Sequence, residues 1–370
     1  MSTKTTYKQT EVGLIPEDWE VKKLGEILKE YSLGGNYENN SEESGIPLIK
    51  MGNIGRGKID LSKIEYLPKN VNYSKNDILK YNDILFNTRN TLDLVGKVSI
   101  WKNEALFALY NSNLLRLYFK EDFVENNDYV NFQFNSEITL ANLKKYATGT
   151  TSVAAIYTKD LLKLKFLLPP LPEQKKIADC LSTWDCAIEK QSALINALTD
   201  RKKALMQQLL TGKKRLPGFE GKWNLNSIND LFIFKNGKAH ENDIDENGKY
   251  ILVNSKFIST EGEISKKTNS NLAPLEVNDL VFVMSDVPNG KALAKFCLIK
   301  EDNLYTLNQR IGLLKIKKGN PIFMYYLLNR NSYFLMFDNG VGQTNLRKDD
   351  ILDCPLNIPS LSEQTAIAEI

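Results

Sequence analysis

The sequence predicts an α+β fold: two tandem copies of one domain plan with mixed β-sheets, joined by a long helix of coiled-coil type. Two repeats and one rhythm carry that expectation. Residues 15–27, IPEDWEVKKLGEI, return as FEGKWNLNSINDL at 219–231, with Trp19 matching Trp223 at an offset of 204. Residues 169–179, PPLPEQKKIAD, return as PSLSEQTAIAE at 359–369, where six of the eleven positions are identical. A repeat of that length is far longer than a solenoid period and marks two domain-sized units. The third observation is a 3-4-3-4 apolar rhythm between the copies, formed by Ile177, Leu181, Trp184, Ile188, Ile195, Leu198, Leu205 and Leu209, with Gln191 and Lys202 at the two polar steps. That spacing is a coiled-coil seam rather than the broader stripe of a surface helix.

Each element has its own signals. In the first unit the short segments Pro47–Met51, Asp83–Phe86 and Leu114–Phe119 are bounded by Gly, Asn, Asp and Pro and read as strands. Trp19–Leu28 and Asp128–Tyr146 read as helices. The second unit repeats the plan: Ile251–Ser255 answers Leu48–Gly52, and Gly290-Lys291 answers Gly96-Lys97. The string Asn82-Asp83-Ile84-Leu85-Phe86 recurs as Asn278-Asp279-Leu280-Val281-Phe282, a turn feeding a buried strand. The loops between these anchors share almost nothing, as two specificities on one scaffold would. The long helix is expected over Glu173–Leu210, with Pro172 in its first turn and Gly212 past its end. At ~1.5 Å per residue it would be about 57 Å long. The expected domains are 1–171, the spacer helix 172–212, a second domain 213–359, and the start of a second helix at 360–370.

Bulk composition narrows the function. The chain has 370 residues, enough for two cores, with 42% hydrophobic and 25% charged residues. It contains no run of 18 apolar residues and its N-terminus has no apolar core, so neither a membrane span nor a secretory signal is expected. Cys180, Cys186, Cys297 and Cys354 form no CxxC pair and suit free thiols in a reducing cytoplasm. The net charge of +3 neither demands nor excludes nucleic acid.

Catalytic signatures are missing. Gly52-Asn53-Ile54-Gly55-Arg56-Gly57-Lys58 fits GxxxxGK, but Ile59 stands where a Ser or Thr should hold magnesium, and no helical periodicity follows. The second copy keeps Gly262 opposite Gly57 and has Glu263 opposite Lys58. His240 is the one histidine, so no histidine pair can hold a metal or act in catalysis. No Asn/Asp-Pro-Pro-aromatic string of an amino-methyltransferase and no Gly-x-Ser-x-Gly string occurs. The run Lys213-Lys214-Arg215 reads as a solvated helix end, with a DNA or partner contact as the alternative.

What remains is a set of polar, basic loop residues. In the first unit these are Lys50, Asn53, Arg56, Lys58, Asn87, Arg89, Asn90, Thr148 and Thr150. In the second they are Asn254, Lys256, Asn289, Lys291, Asn308, Gln309, Arg310, Gln343, Asn345, Arg347 and Lys348. Arg and Lys pair with guanine edges, Asn and Gln with adenine, and all can hold phosphate. Singly each is an ordinary surface residue; together they suit double-stranded DNA. Two copies of one recognition surface on a spacer suit a bipartite target.

The opening GLIPEDWEVKKLGEI, the junction PPLPEQKKIADCL, the long helix and the second copy resemble the specificity subunit of type I restriction–modification systems over essentially the whole chain. The resemblance implies a non-enzymatic subunit whose two target-recognition domains each read half of a split DNA sequence. It also implies antiparallel spacer helices that dock two methyltransferase subunits, with restriction subunits added for translocation and cleavage. S-adenosylmethionine, ATP and Mg would sit on those partners and none on this chain. The second helix of the pattern stops at Ile370, about ten residues in, which suggests shortening and self-association through an uncovered seam. Two other readings stay open: a self-contained DNA methyltransferase or nuclease, and a coiled-coil scaffold with no DNA role.

Overall fold

A computed structural model describes residues 6–43, 45–68, 70–287 and 290–370. The chain forms two compact units, 1–192 and 193–370, whose boundary falls inside the helix Leu171–Leu209.

The first unit is built around an antiparallel sheet in the order Leu28–Leu33, Leu114–Phe119, Ile84–Asn87, Val98–Ile100. All four residues of Ile84–Asn87 are buried. The helix Asn127–Phe134 covers one face, and Phe134 packs edge-on to Phe166 at 4.8 Å between ring centroids. A second sheet is mixed: Leu109–Tyr110 runs parallel to Ile46–Ile49, which pairs antiparallel with Glu65–Leu67. Glu20–Lys23 pairs with Lys165–Leu168, so the start of the unit is stitched to the strand that feeds the long helix.

The second unit has the same topology. Its antiparallel sheet runs Phe232–Asn236, Ile311–Ile316, Leu280–Val283, Phe296–Leu298. Its mixed sheet places Tyr250–Val253 between Lys266–Thr268 and the parallel Tyr305–Leu307. Asn224–Ser227 pairs with Pro355–Ile358, ahead of the helix Leu361–Ala368.

The repeated strings have structural causes. Asn82 and Asn278 adopt left-handed φ of 70° and 69°, a conformation Asn tolerates better than most side chains. Each turns the chain into a fully buried strand. Gln174 and Gln364 are both buried, and each donates to the carbonyl of the proline that starts its junction, Pro169 or Pro359, at 3.0 Å. The side chain at that position closes the strand-to-helix corner.

Four sequence readings need correction. Trp19–Leu28 is not a helix: Glu20–Lys23 is a strand, Leu24–Ile27 a single helical turn, and Leu28 opens the next strand. Strand pairing with Lys165–Leu168 overrides local propensity there. The counterpart of Gly96-Lys97 is Ala294-Lys295, not Gly290-Lys291. The N–H of Gly96 donates to Asn87 O and that of Ala294 to Val283 O, both at 2.9 Å, and φ is 77° and 53°. Ala294 keeps the turn without glycine, which hid it. The match of Ile251 to Leu48 is one residue out of register. Asn111 N donates to Ile49 O and Asn308 N to Val253 O, so Leu48 matches Leu252. A one-residue slip would turn every side chain to the other face of the sheet. The helical reading of 128–146 divides into Asn127–Phe134 and Glu137–Tyr146, because Ser136 caps the second helix by accepting from Thr139 N.

Candidate nucleic-acid interface

Each buried central strand delivers the chain to a small edge sheet two residues later. In the first unit Ile84–Asn87 is followed by Arg89–Asn90, which pairs with Ala154–Ala155, itself paired with Thr148–Gly149. In the second, Leu280–Val283 is followed by Ser285–Asp286, paired with Thr344–Asn345. Arg89 lies opposite Ala155 and Ser285 opposite Asn345, so Arg89 and Ser285 occupy one structural position. Glycine shapes the first hairpin: at Gly149, φ 129°, an added Cβ would lie 2.3 Å from Val153 O.

The chemistry on these edges differs. Arg89 is exposed, and among the described residues its guanidinium makes no hydrogen bond or ion pair. Asn90 uses its Oδ1 to accept from Thr91 N, Thr148 Oγ1 donates to Ala155 O, and Thr150 Oγ1 accepts from Val153 N. In the second unit Gln343 is exposed and donates from Nε2 to Ser285 Oγ at 2.6 Å. Asn345, Arg347 and Lys348 are exposed beside it in sequence. Asp286 folds the neighbouring loop back by accepting from Val287 N, Ala292 N and Leu293 N. Lys291 is exposed on that loop, whereas Asn289 lies outside the described residues.

The other candidates are dispersed, and several are consumed internally. Lys50 Nζ donates to Asn39 Oδ1 and Glu65 Oε2. Asn53 is 2% exposed; its Oδ1 accepts from Lys50 N and its Nδ2 donates to Asp60 O. Asn87 is fully buried, with Oδ1 accepting from Arg89 N. Asn254 caps the helix Ser255–Ser259 by accepting from Phe257 N. These amides hold backbone, which takes Asn53 and Asn87 out of the set offered to a ligand. Arg56 is exposed. Lys58 pairs with Glu189 of the long helix at 2.5 Å; that hydrogen bond, with Asp185 nearby, holds the ammonium above the usual lysine range. Lys256 and Arg310 are exposed, as is Gln309, while Asn308 is half-buried.

The loop that mimicked a phosphate-binding motif is a turn. Ile54 bridges Ile59, Gly57 has φ 89°, and no helix follows. Ser99 Oγ donates to Lys58 O and Asn131 Nδ2 to Gly57 O, pinning the loop to the sheet. In the second unit Cys297 stands at the register of Ser99, and the helix Ser255–Ser259 follows the strand instead.

Sequence reasoning missed Ser285, and it missed the exposed apolar loop residues Val153 (68%), Val341 (80%) and Tyr157. The available signal was position: three residues past the repeated string that ends at Phe86 and Phe282. Arg215, read as part of a solvated run, instead makes a bidentate pair with buried Glu363 at 2.6 Å on both arms and lies over the Trp223 ring. Among the described residues no cluster of His, Cys, Asp and Glu could hold a metal ion, and no helix is long and apolar enough to cross a membrane.

The model of the type I restriction modification DNA specificity domain matches residues 16–200 and again 220–370. The chain belongs to that family. It is a specificity subunit, the DNA-target-recognising and non-catalytic part of a type I restriction–modification system. A putative type I restriction enzyme MjaX specificity subunit of Methanocaldococcus jannaschii is 27% identical over 98% of this chain and 88% of its own length. The MjaVIII specificity subunit of the same organism is 33% identical over 57% of this chain and 50% of its own. Among solved structures, the specificity subunit of M. genitalium aligns with a TM-score of 0.60 at 15% identity, over 95% of this chain and 87% of that one. At that identity the likeness concerns the fold, and the specificity-subunit fold is the one described above.

Proposed function

We propose that each unit reads one half of a split double-stranded DNA target, and that the long helix docks two methyltransferase subunits and sets the spacing between the halves. One observation carries the first part: the same edge position follows the same buried strand in both units, yet presents Arg89 in one and Ser285 with Gln343 in the other. A shared framework with unlike polar edges suits two different half-sites. The second part is supported by exposure. Leu181, Trp184, Ile188, Ile195 and Leu198 stand between 40% and 66% exposed, whereas Leu209 is buried in the core of the second unit and Ile177 and Leu205 are half-buried. A row of large apolar side chains on one helix suits a protein partner. The methyltransferase subunits would hold S-adenosylmethionine, and restriction subunits ATP and Mg, in the cytoplasm.

Replacing residues 213–359 with the corresponding domain of another specificity subunit tests the modular reading. Methylated sites mapped across a host genome should change in one half of the target only. A change in both halves overturns it.

A further inference from the structure

The edge position shared by Arg89 and Ser285 assigns different bases to the two units, an inference that rests on the half-site reading above. We propose that Arg89 reads a guanine in the half-site of the first unit, and that Gln343, oriented by Ser285, reads an adenine in the half-site of the second.

The geometry favours these two side chains over the other candidates. A base reader must be exposed, keep a hydrogen-bonding edge free of internal partners, and be held in place by the structure around it. Arg89 meets all three conditions: its guanidinium is unpaired among the described residues, and its backbone is locked in a strand opposite Ala155. The backbone N–H of Arg89 is further held by buried Asn87. The rigid fork of a guanidinium matches O6 and N7 of guanine, the pattern that Arg recognises in the major groove. Most rivals fail one condition. Lys50 is paired with Glu65 and Lys58 with Glu189, while Asn53 and Asn87 are buried.

Gln343 meets the conditions differently. One of its two amide N–H groups is spent on Ser285 Oγ at 2.6 Å, which fixes the plane of the amide. The second N–H and Oε1 remain. They are the donor and acceptor that adenine N7 and N6 require. Ser285 is itself held in register with Asn345, so the amide is aimed by a strand pair rather than by a free loop. The unit with Arg at the edge position needs no orienting hydroxyl. The unit with Ser there places the reading group beside the facing strand Thr344–Asn345 instead.

The test uses the assembled methyltransferase complex carrying the full chain, with R89A, Q343A and S285A prepared separately and methylated sites mapped genome-wide. For R89A, one guanine position of one half-site should become degenerate, with discrimination there falling about 10- to 100-fold, and the other half-site should be unchanged. Q343A should relax one adenine position in the opposite half-site, and S285A should relax the same position less. R89A binding uniformly weaker at every site, with the salt slope of DNA binding lowered by about one, would identify a phosphate contact and overturn the assignment. An unchanged target in both R89A and Q343A also overturns it, and leaves the half-site reading intact. Relaxation of both halves by one substitution would strike that reading as well. Circular dichroism matching the parent excludes misfolding, and R89K, retaining a donor that can reach guanine, should recover part of the lost discrimination.

Discussion

Arg116 and Asp83 form an ion pair at 3.1 Å with 4% and 6% of their surfaces exposed, and it belongs to the first unit alone. Arg116 also donates to Ile78 O and Asn76 O, and its guanidinium lies between the rings of Tyr110 and Tyr118 at 4.9 and 5.0 Å. In the second unit Leu313 holds the register of Arg116, while Asp279 still accepts from the backbone of Glu276, as Asp83 does from Lys80. The two cores thus solve one position with opposite chemistry.

Removing the arginine should cost far more than replacing the pair. R116L strands a buried carboxylate and should destabilise the first unit by about 3–5 kcal/mol, read by chemical denaturation. The double variant D83N/R116L should recover much of that loss. Burial pushes the Asp83 carboxyl up, outweighing the backbone hydrogen bond from Lys80 and the charge of Arg116. A raised carboxyl stabilises the fold fully below the unfolded value of about 3.9, and that contribution is lost as pH rises through the folded value. The stability of D83N relative to the parent should therefore improve with rising pH across that window. A difference independent of pH would contradict this.

Gln364 should matter more than Gln174. Each donates to its proline carbonyl, and Gln174 Nε2 donates to Phe123 O as well, but Gln364 Oε1 accepts from Asn320 N at 2.9 Å, whereas Gln174 Oε1 is buried without a partner among the described residues, a cost that Q174A removes. Q364A leaves two backbone groups unsatisfied and should cost about 1–3 kcal/mol. Hydrogen exchange over Leu361–Ala368 should show the opening, with a smaller change over 171–178 in Q174A.

Charge placed on the exposed seam should separate assembly from folding. Ile188 and Ile195 are 60% and 55% exposed, so I188D/I195D should shift stability by no more than about 0.5 kcal/mol per site. The double variant should fail to co-purify with methyltransferase subunits. The isolated parent chain should self-associate at micromolar concentration by light scattering, and the variant should not. A monomeric parent that binds its partners equally well with and without the two aspartates would end the docking role of this face.

Helix length should set the spacer. Four residues inserted after Leu194, inside Leu171–Leu209, add about 6 Å at ~1.5 Å per residue, close to two base pairs. The mapped target should gain one or two unspecified base pairs between unchanged halves. The same spacer in parent and variant would assign its length to something other than the helix.

The repeat, the long helix and the absence of catalytic strings were legible in the sequence because each is local. Asn82 and Asn278 announce a left-handed turn, Pro-x-Leu-x-Glu-Gln announces a strand-to-helix corner, and Trp184 with Ile188 and Ile195 announces a seam. Three things depended on contacts far apart in the chain. Glu20–Lys23 is a strand because Lys165–Leu168 pairs with it, although its own residues suggest a helix. Asn53 and Asn87 look like base readers by type, and only tertiary packing shows them buried, at 2% and 0% exposure. Ser285 had only its distance from the repeated string to mark it, until strand pairing set it where Arg89 stands and brought Gln343, 58 residues on, within 2.6 Å. Local propensity and periodicity are written in neighbouring residues. Which polar groups remain free for DNA is decided by tertiary pairing, since burial and hydrogen-bond satisfaction belong to partners the sequence does not place side by side.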